Sequence, residues 1–120
     1  MKEYSFKKHE RLKKSKEYNA LSKHGKRYHE ADFIIIYKEN NELNNRLGIT
    51  VSKKVGNAVK RNRIKRIIRE YFRNNKILLH LKLDINIIAK KTARHIDSIE
   101  IGKQVSRCLM SIGNSNNRKQ

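Results

Sequence analysis

Gly48-Ile49-Thr50-Val51-Ser52-Lys53-Lys54-Val55-Gly56-Asn57-Ala58-Val59-Lys60-Arg61-Asn62-Arg63-Ile64-Lys65-Arg66-Ile67-Ile68-Arg69-Glu70-Tyr71-Phe72-Arg73 changes its hydrophobic period midway. Up to Ser52, apolar and small polar side chains alternate, the pattern of a strand with one buried face. Gly56-Asn57 ends that strand, and the asparagine is a good helix N-cap. Beyond it, Ile64, Ile67, Ile68, Tyr71 and Phe72 recur at i, i+3, i+4, i+7 and i+8, the stripe of an amphipathic helix. The spacing predicts a helix from about residue 58 to Asn75.

Upstream, Leu47 opens the alternating strand, and the polar turn Asn40-Asn41-Glu42-Leu43-Asn44-Asn45 precedes it. Phe33-Ile34-Ile35-Ile36-Tyr37 is β-branched and aromatic, the composition of a strand buried on both faces. The two strands read as an antiparallel hairpin. Ser15 caps a short helix that carries Tyr18 and Leu21 on one face and stops at Gly25. Residues 1–14 read as a basic arm.

Downstream, Leu83-Asp84-Ile85-Asn86-Ile87-Ile88-Ala89-Lys90 reads as a third strand. Asp97 and Glu100 resemble a capping box, with Asp in place of Ser or Thr. The helix they start buries Ile101, Val105, Cys108, Leu109 and Ile112, stops at Gly113, and leaves residues 114–120 as a polar tail. The expected fold is one α+β domain over residues 1–120. Its order is α-β-β-α-β-α, with helices packed on a small mixed sheet.

The chain has 120 residues with 30 Lys+Arg against 11 Asp+Glu, a formal net charge of +19. Residues 1–30 carry 10 basic and 4 acidic side chains, residues 31–50 carry 2 and 3, and residues 51–75 carry 9 basic ones against Glu70 alone. Such a field draws polyanions at long range, and each phosphate neutralised releases a counterion. A nucleic acid is therefore the expected partner. No apolar run approaches the roughly 20 residues of a bilayer span, and the N-terminus has no apolar core of a secretory signal. A cytoplasmic protein with no membrane partner is expected.

The charge on the central helix is directional. At about 100° per residue, Asn62, Lys65, Arg66, Arg69 and Arg73 share the face opposite the isoleucine stripe. Neighbouring like charges destabilise the free helix, and Lys60, Arg61 and Arg63 oppose the dipole at its N-terminus. A sequence serving stability alone would interleave glutamates. Guanidinium forks match phosphates and base edges bidentately. No helix-turn-helix or other DNA-docking motif accompanies the row, so DNA is not the expected partner.

The stretch from Gly48 to Arg66, with its Arg61-Asn62-Arg63 core, resembles the signature of the bacterial ribonuclease P protein component family. Arg11-Leu12-Lys13-Lys14, Lys23-His24-Gly25, Phe33 and Ile88-Ala89-Lys90-Lys91 agree with it, so the resemblance covers roughly residues 9 to 110. It implies the small subunit of a ribonucleoprotein that removes the 5′ leader from precursor tRNA. The active site then lies in the RNA subunit, which holds most of the Mg²⁺, and this chain supplies no catalytic residue and no tight metal site. It also implies a left-handed βαβ crossover around the central helix, an exception to the usual hand.

By the same resemblance, Arg61, Asn62, Arg63, Lys65, Arg66 and Arg69 match contacts to the RNA subunit. Lys53, Lys54, Lys60 and Arg73 extend that surface. The leader is expected in a cleft formed by Tyr18, Ile34 and Ile36 with Lys90 nearby. Period-two alternation independently puts Ile34, Ile36, Thr50, Ser52, Ile88 and Lys90 on one sheet face, with Phe33, Ile35, Leu47, Ile49, Val51, Ile85 and Ile87 on the other. Small hydroxyls, isoleucines and a lysine suit single-stranded RNA. Ser22 stands where the family commonly has a second aromatic, which leaves Tyr18 and Tyr28 as the stacking platform.

The residues offer little to protein-only chemistry. Asp32, Asp84 and Asp97 stand apart, whereas a two-metal nuclease needs clustered carboxylates. His9, His24, His29, His80 and His95 lack zinc spacing, and Cys108 is the single cysteine, on an apolar stripe. A ribosomal or RNA-assembly protein fits charge and size equally well. The Arg-Asn-Arg segment in its strand–helix setting separates the two.

Overall fold

The computed structural model describes residues 10–42, 44–75 and 82–118. Residues 1–9 of the expected arm, Leu43 of the expected turn and the last two residues of the expected tail lie outside them. The elements run α1 (Ser15–His24), β1 (Lys26–His29), β2 (Phe33–Glu39), β3 (Arg46–Thr50), α2 (Ala58–Asn75), β4 (Leu83–Ala89), a 3₁₀ turn (Lys91–His95) and α3 (Ser98–Arg118). The class is α+β, as expected, with one strand more than the sequence pattern shows.

The sheet has the order β1-β2-β4-β3. β2 pairs antiparallel with β1 and with β4, and β3 pairs parallel with β4. The expected β2–β3 hairpin is therefore corrected: β4 lies between those strands, and the tight hairpin is β1–β2. Alternation assigns faces but carries no information about neighbours. β3, α2 and β4 form a βαβ unit, which puts α2 across the sheet.

One sheet face carries the main core. Phe33, Ile35, Leu47, Ile85 and Ile87 meet Ile64, Ile68 and Phe72 of α2 and Ile101, Val105, Leu109 and Ile112 of α3, all buried. Each such side chain stabilises the fold by about 1.5–3 kcal/mol relative to exposure. Gly102 lets the helices close, because a Cβ there would run into the Tyr71 ring. Gln104, only 1% exposed, ties α3 to the β1–β2 loop. Its Nε2 donates to Asp32 Oδ2 at 2.7 Å, and its Oε1 accepts the Asp32 N–H at 3.0 Å.

The other face is half covered by α1, where Leu12, Leu21 and Ile36 form a small cluster with Tyr18, Ile34 and Ile88 packed against it. Residues 10–14 belong to the fold rather than to a free arm. The Leu12 N–H donates to Leu47 O at 3.0 Å, and Arg11 bridges to Leu47.

Two helix ends differ in detail from the sequence reading, and a third ends as expected for a different reason. The N-cap of α1 is Lys14, not Ser15, because Glu17 Oε1 accepts the N–H groups of Lys13 and Lys14 at 3.0 and 3.1 Å. Gly25 ends α1 with an ordinary φ of −79°. It is glycine for lack of room, since a Cβ would stand 2.7 Å from Ile36 Cγ2. α3 runs through Gly113 to Arg118, so the tail expected from residue 114 is helical up to that point. A glycine stops a helix by turning left-handed, and none of the described glycines has positive φ.

Candidate nucleic-acid interface

α2 starts where the sequence places it. Asn57 Oδ1 accepts the Lys60 N–H at 2.9 Å, an N-cap bond that fixes the first turn. Its 18 residues make a rod about 27 Å long. With Ile64, Ile68 and Phe72 in the core, Asn62, Arg66 and Arg69 point to solvent, and Lys65 and Arg73 are partly covered. Arg73 pairs with Glu70 one turn back. Among the described residues, that is the ion pair the row makes.

The start of the helix is more constrained. Arg61 Nε donates to Gly56 O at 3.1 Å, and Lys60 Nζ donates to Arg94 O at 2.8 Å. Arg63 is partly exposed, and Lys53 and Lys54 stand exposed in the turn before α2. The ten residues expected on the RNA-subunit surface thus run from the turn before α2 to its last turn, with Lys60 and Arg61 tied to backbone carbonyls at the helix start.

The second surface lies on the α1 side. Register sets Arg27, Ile36, Asn86 and Gly48 in one row across the sheet, and His29, Ile34, Ile88 and Thr50 in the next. Ile36, Asn86 and Gly48 of the first row are buried on the α1 side, whereas Arg27 at its end is exposed and the second row stays partly open. Tyr18 rests over Gly48, and its hydroxyl donates to Leu12 O at 3.3 Å. Burial pushes the Tyr18 phenol above its ordinary pKa, and the Glu17 charge adds to this, while Arg69 opposes it. The cation row and the α1 face therefore adjoin around the β3 edge.

The structure brings Tyr18, Ile34 and Thr50 to this side, with Ser52 exposed just past β3 and Lys90 reaching from the end of β4 to the β1–β2 turn. Thr50 Oγ1 donates to Asn86 Oδ1 at 3.1 Å, and Lys90 Nζ donates to Glu30 O at 2.8 Å. Ile36 does not join the open part. It is 3% exposed, beneath Leu12 and Leu21, and packs α1 onto the sheet. Tyr28 is on the opposite face, paired with Ile35, and its hydroxyl donates to Glu30 Oε2 at 2.9 Å. Tyr18 alone of the two faces the groove.

The sequence reading missed Arg27 and His29, which join the groove's rows through β1. The signal available was the single apolar Tyr28 between polar neighbours. α1 is held in place by Arg46, which also escaped notice. Its Nε and Nη2 donate to Asp84 Oδ1 and Oδ2, and its Nη1 donates to Glu17 Oε2, each at 2.8 Å. Backbone donors at Lys13 and Lys14 hold the Glu17 carboxyl below its ordinary pKa, and Arg46 reinforces them. Among the described residues, no three His, Cys, Asp or Glu side chains are placed to hold a metal ion, and no helix is long and apolar enough to cross a membrane.

Comparison with known proteins agrees with this geometry. Residues 6–113 match the family Ribonuclease P. The ribonuclease P protein component of Syntrophus aciditrophicus is 52% identical over 109 residues, covering 91% of this chain and 92% of that protein. That of Geotalea uraniireducens is 39% identical over 112 residues, covering 91% and 96%. The structure of the Staphylococcus aureus RNase P protein superposes with a TM-score of 0.77 at 38% identity, over 83% of this chain and 92% of that one. The Thermotoga maritima protein gives 0.77 at 30% identity, over 86% and 97%. The exposed arginine row, the βαβ unit that carries it and these matches lead to one conclusion: the chain belongs to the ribonuclease P protein component family, the protein subunit of the ribonucleoprotein that processes the 5′ end of tRNA.

Proposed function

We propose that the band from Lys53 to Arg73 grips the catalytic RNA while the α1-side groove holds the 5′ leader of precursor tRNA. Lys53, Lys54, Lys60, Arg61, Asn62, Arg63, Lys65, Arg66, Arg69 and Arg73 are the RNA-subunit contacts in this reading. Tyr18, Ile34, Thr50, Ser52 and Lys90 contact the leader, and Ile36 supports them from below. The observation that carries the reading is the outward row of α2. It is rigidly mounted, and glutamate answers its charge only at Arg73 among the described residues.

The chain's own part is binding and orientation. Fixed guanidiniums lower the cost of packing phosphates of two RNA molecules side by side. The groove offers an aromatic ring, isoleucine surface and a hydroxyl, which suit a single strand without strict sequence preference. Phosphodiester hydrolysis uses Mg²⁺, which the RNA holds in this proposal. The residues described here bring no carboxylate cluster to it, so the protein aids metal use by relieving phosphate repulsion. The setting is the cytoplasm, where precursor tRNA is made.

The test is precursor tRNA cleavage by a ribonuclease P RNA at low Mg²⁺, with and without this protein. Addition should restore cleavage and tighten binding of leader-bearing substrate. An unchanged rate overturns the proposal.

A further inference from the structure

A second feature adjoins the start of α2. The turn before the helix, the first turn of α2, the 3₁₀ turn and the start of α3 enclose an open cavity of about 850 Å³. Its apolar lining is Val55, Val59 and Ile96, and its basic lining includes Lys60, Arg63 and Arg94. Val55 is buried, whereas Val59 is 78% exposed, the most exposed large hydrophobic residue described. β-Branched valine is a modest helix former, so neither packing nor propensity accounts for it at this position.

Lys60 is held in place. Lys60 Nζ is anchored on Arg94 O, and its stem crosses Gly56, where a Cβ would stand 3.0 Å from Lys60 Cδ. Among the described lining residues Asp97 is the one carboxylate, and its Oδ1 accepts the Glu100 N–H at 2.9 Å to cap α3. An apolar patch within a cationic rim complements a group with a flat apolar body and a negative charge. An acidic peptide would leave Val59 and Ile96 unused, and an apolar one would leave three cations facing it.

We infer that this cavity receives one unpaired nucleotide of the RNA subunit, its base against Val59 and Ile96 and its phosphate among Lys60, Arg63 and Arg94. The inference rests on the reading that α2 grips that RNA, and it adds a base contact to a surface otherwise described by charge alone. Apolar contact with a base is insensitive to salt, whereas phosphate contacts release counterions.

The two are separable by experiment. For the full chain binding its RNA subunit, Val59→Ala should raise Kd about tenfold, the effect of uncovering two methyl groups. The slope of log Kd against log salt should stay unchanged. Arg66→Ala with Arg69→Ala should weaken binding and reduce that slope. If Val59→Ala binds as tightly as the parent while the arginine variant weakens, the cavity inference falls and the grip stands. If neither changes affinity, both fall. In methyl-detected NMR of the full chain, adenosine 5′-monophosphate should shift Val59 and Ile96, and ribose 5-phosphate should not. Equal shifts from both probes would reduce the cavity to an anion site and overturn the assignment.

Discussion

The ring of Tyr18 occupies the space that a side chain at position 48 would need: a Cβ on Gly48 would stand 2.5 Å from Tyr18 Cε1. Glycine here answers a close approach, since its φ is not positive. The edge strand β3 thus gives up a side chain so that an aromatic from α1 can lie against the sheet beside Thr50 and Ile88.

Gly48→Ala should therefore push Tyr18 off the sheet, at a cost of about 1–3 kcal/mol from overpacking. Urea unfolding measures that loss. In the assembled ribonucleoprotein, both Gly48→Ala and Tyr18→Ala should weaken binding of leader-bearing precursor more than binding of mature tRNA. Equal losses for the two substrates would make Tyr18 a packing residue and nothing more.

Arg46 links three elements through Asp84 and Glu17, with all three side chains partly buried. Arg46→Met should cost about 1–3 kcal/mol, between the values for exposed and fully buried pairs. Because the folded Glu17 carboxyl sits below its ordinary pKa of 4.5, the unfolded chain binds more protons in that range. The stability from Glu17 is complete above that value and lost as pH falls through the folded one. Urea midpoints taken from about pH 6 down to about pH 3 should fall, and Glu17→Gln should flatten the decline.

Arg66 and Arg69 are exposed. Replacing both by alanine should leave the unfolding midpoint near the parent value. The salt slope of RNA-subunit binding should drop by about 1.4–1.8, as two phosphate contacts would give. An unchanged slope, measured by filter binding across a salt series, would remove the electrostatic grip.

Cys108 is buried on α3, and burial pushes its thiol far above the ordinary value. It should resist a thiol reagent in the native protein and react only as the chain unfolds. Labelling faster than unfolding would contradict its placement in the core. Cys108→Ser, which buries a hydroxyl, should cost about 1–3 kcal/mol.

α2 was legible in the sequence because its signals are local: the Asn57 cap, the isoleucine stripe and the opposing arginines all lie within a few turns. The two sheet faces were legible for the same reason. What escaped depends on partners distant in the chain. β1 carries one half-buried residue, Tyr28, and three exposed ones, so it is a strand by virtue of β2 rather than by its own pattern. The placement of β4 between β2 and β3 follows from β2 presenting two pairing edges and α2 crossing the sheet, neither of which leaves a periodic trace. Ile36 shows the limit for sites, since alternation put it on the groove's face without revealing that Leu12 and Leu21 cover it. Val59 and Arg94 line one cavity although they are 35 residues apart.

The strand order has a consequence for synthesis. β4 lies between β2 and β3, so a ribosome that has delivered the whole of α2 has not yet delivered the strand that joins the two pieces of sheet. The cationic rod leaves the exit tunnel before its scaffold exists, surrounded by ribosomal and messenger RNA. Only when residues 83–89 follow can sheet and helix lock, which makes the ability to hold one shaped RNA a late event in the life of each new chain.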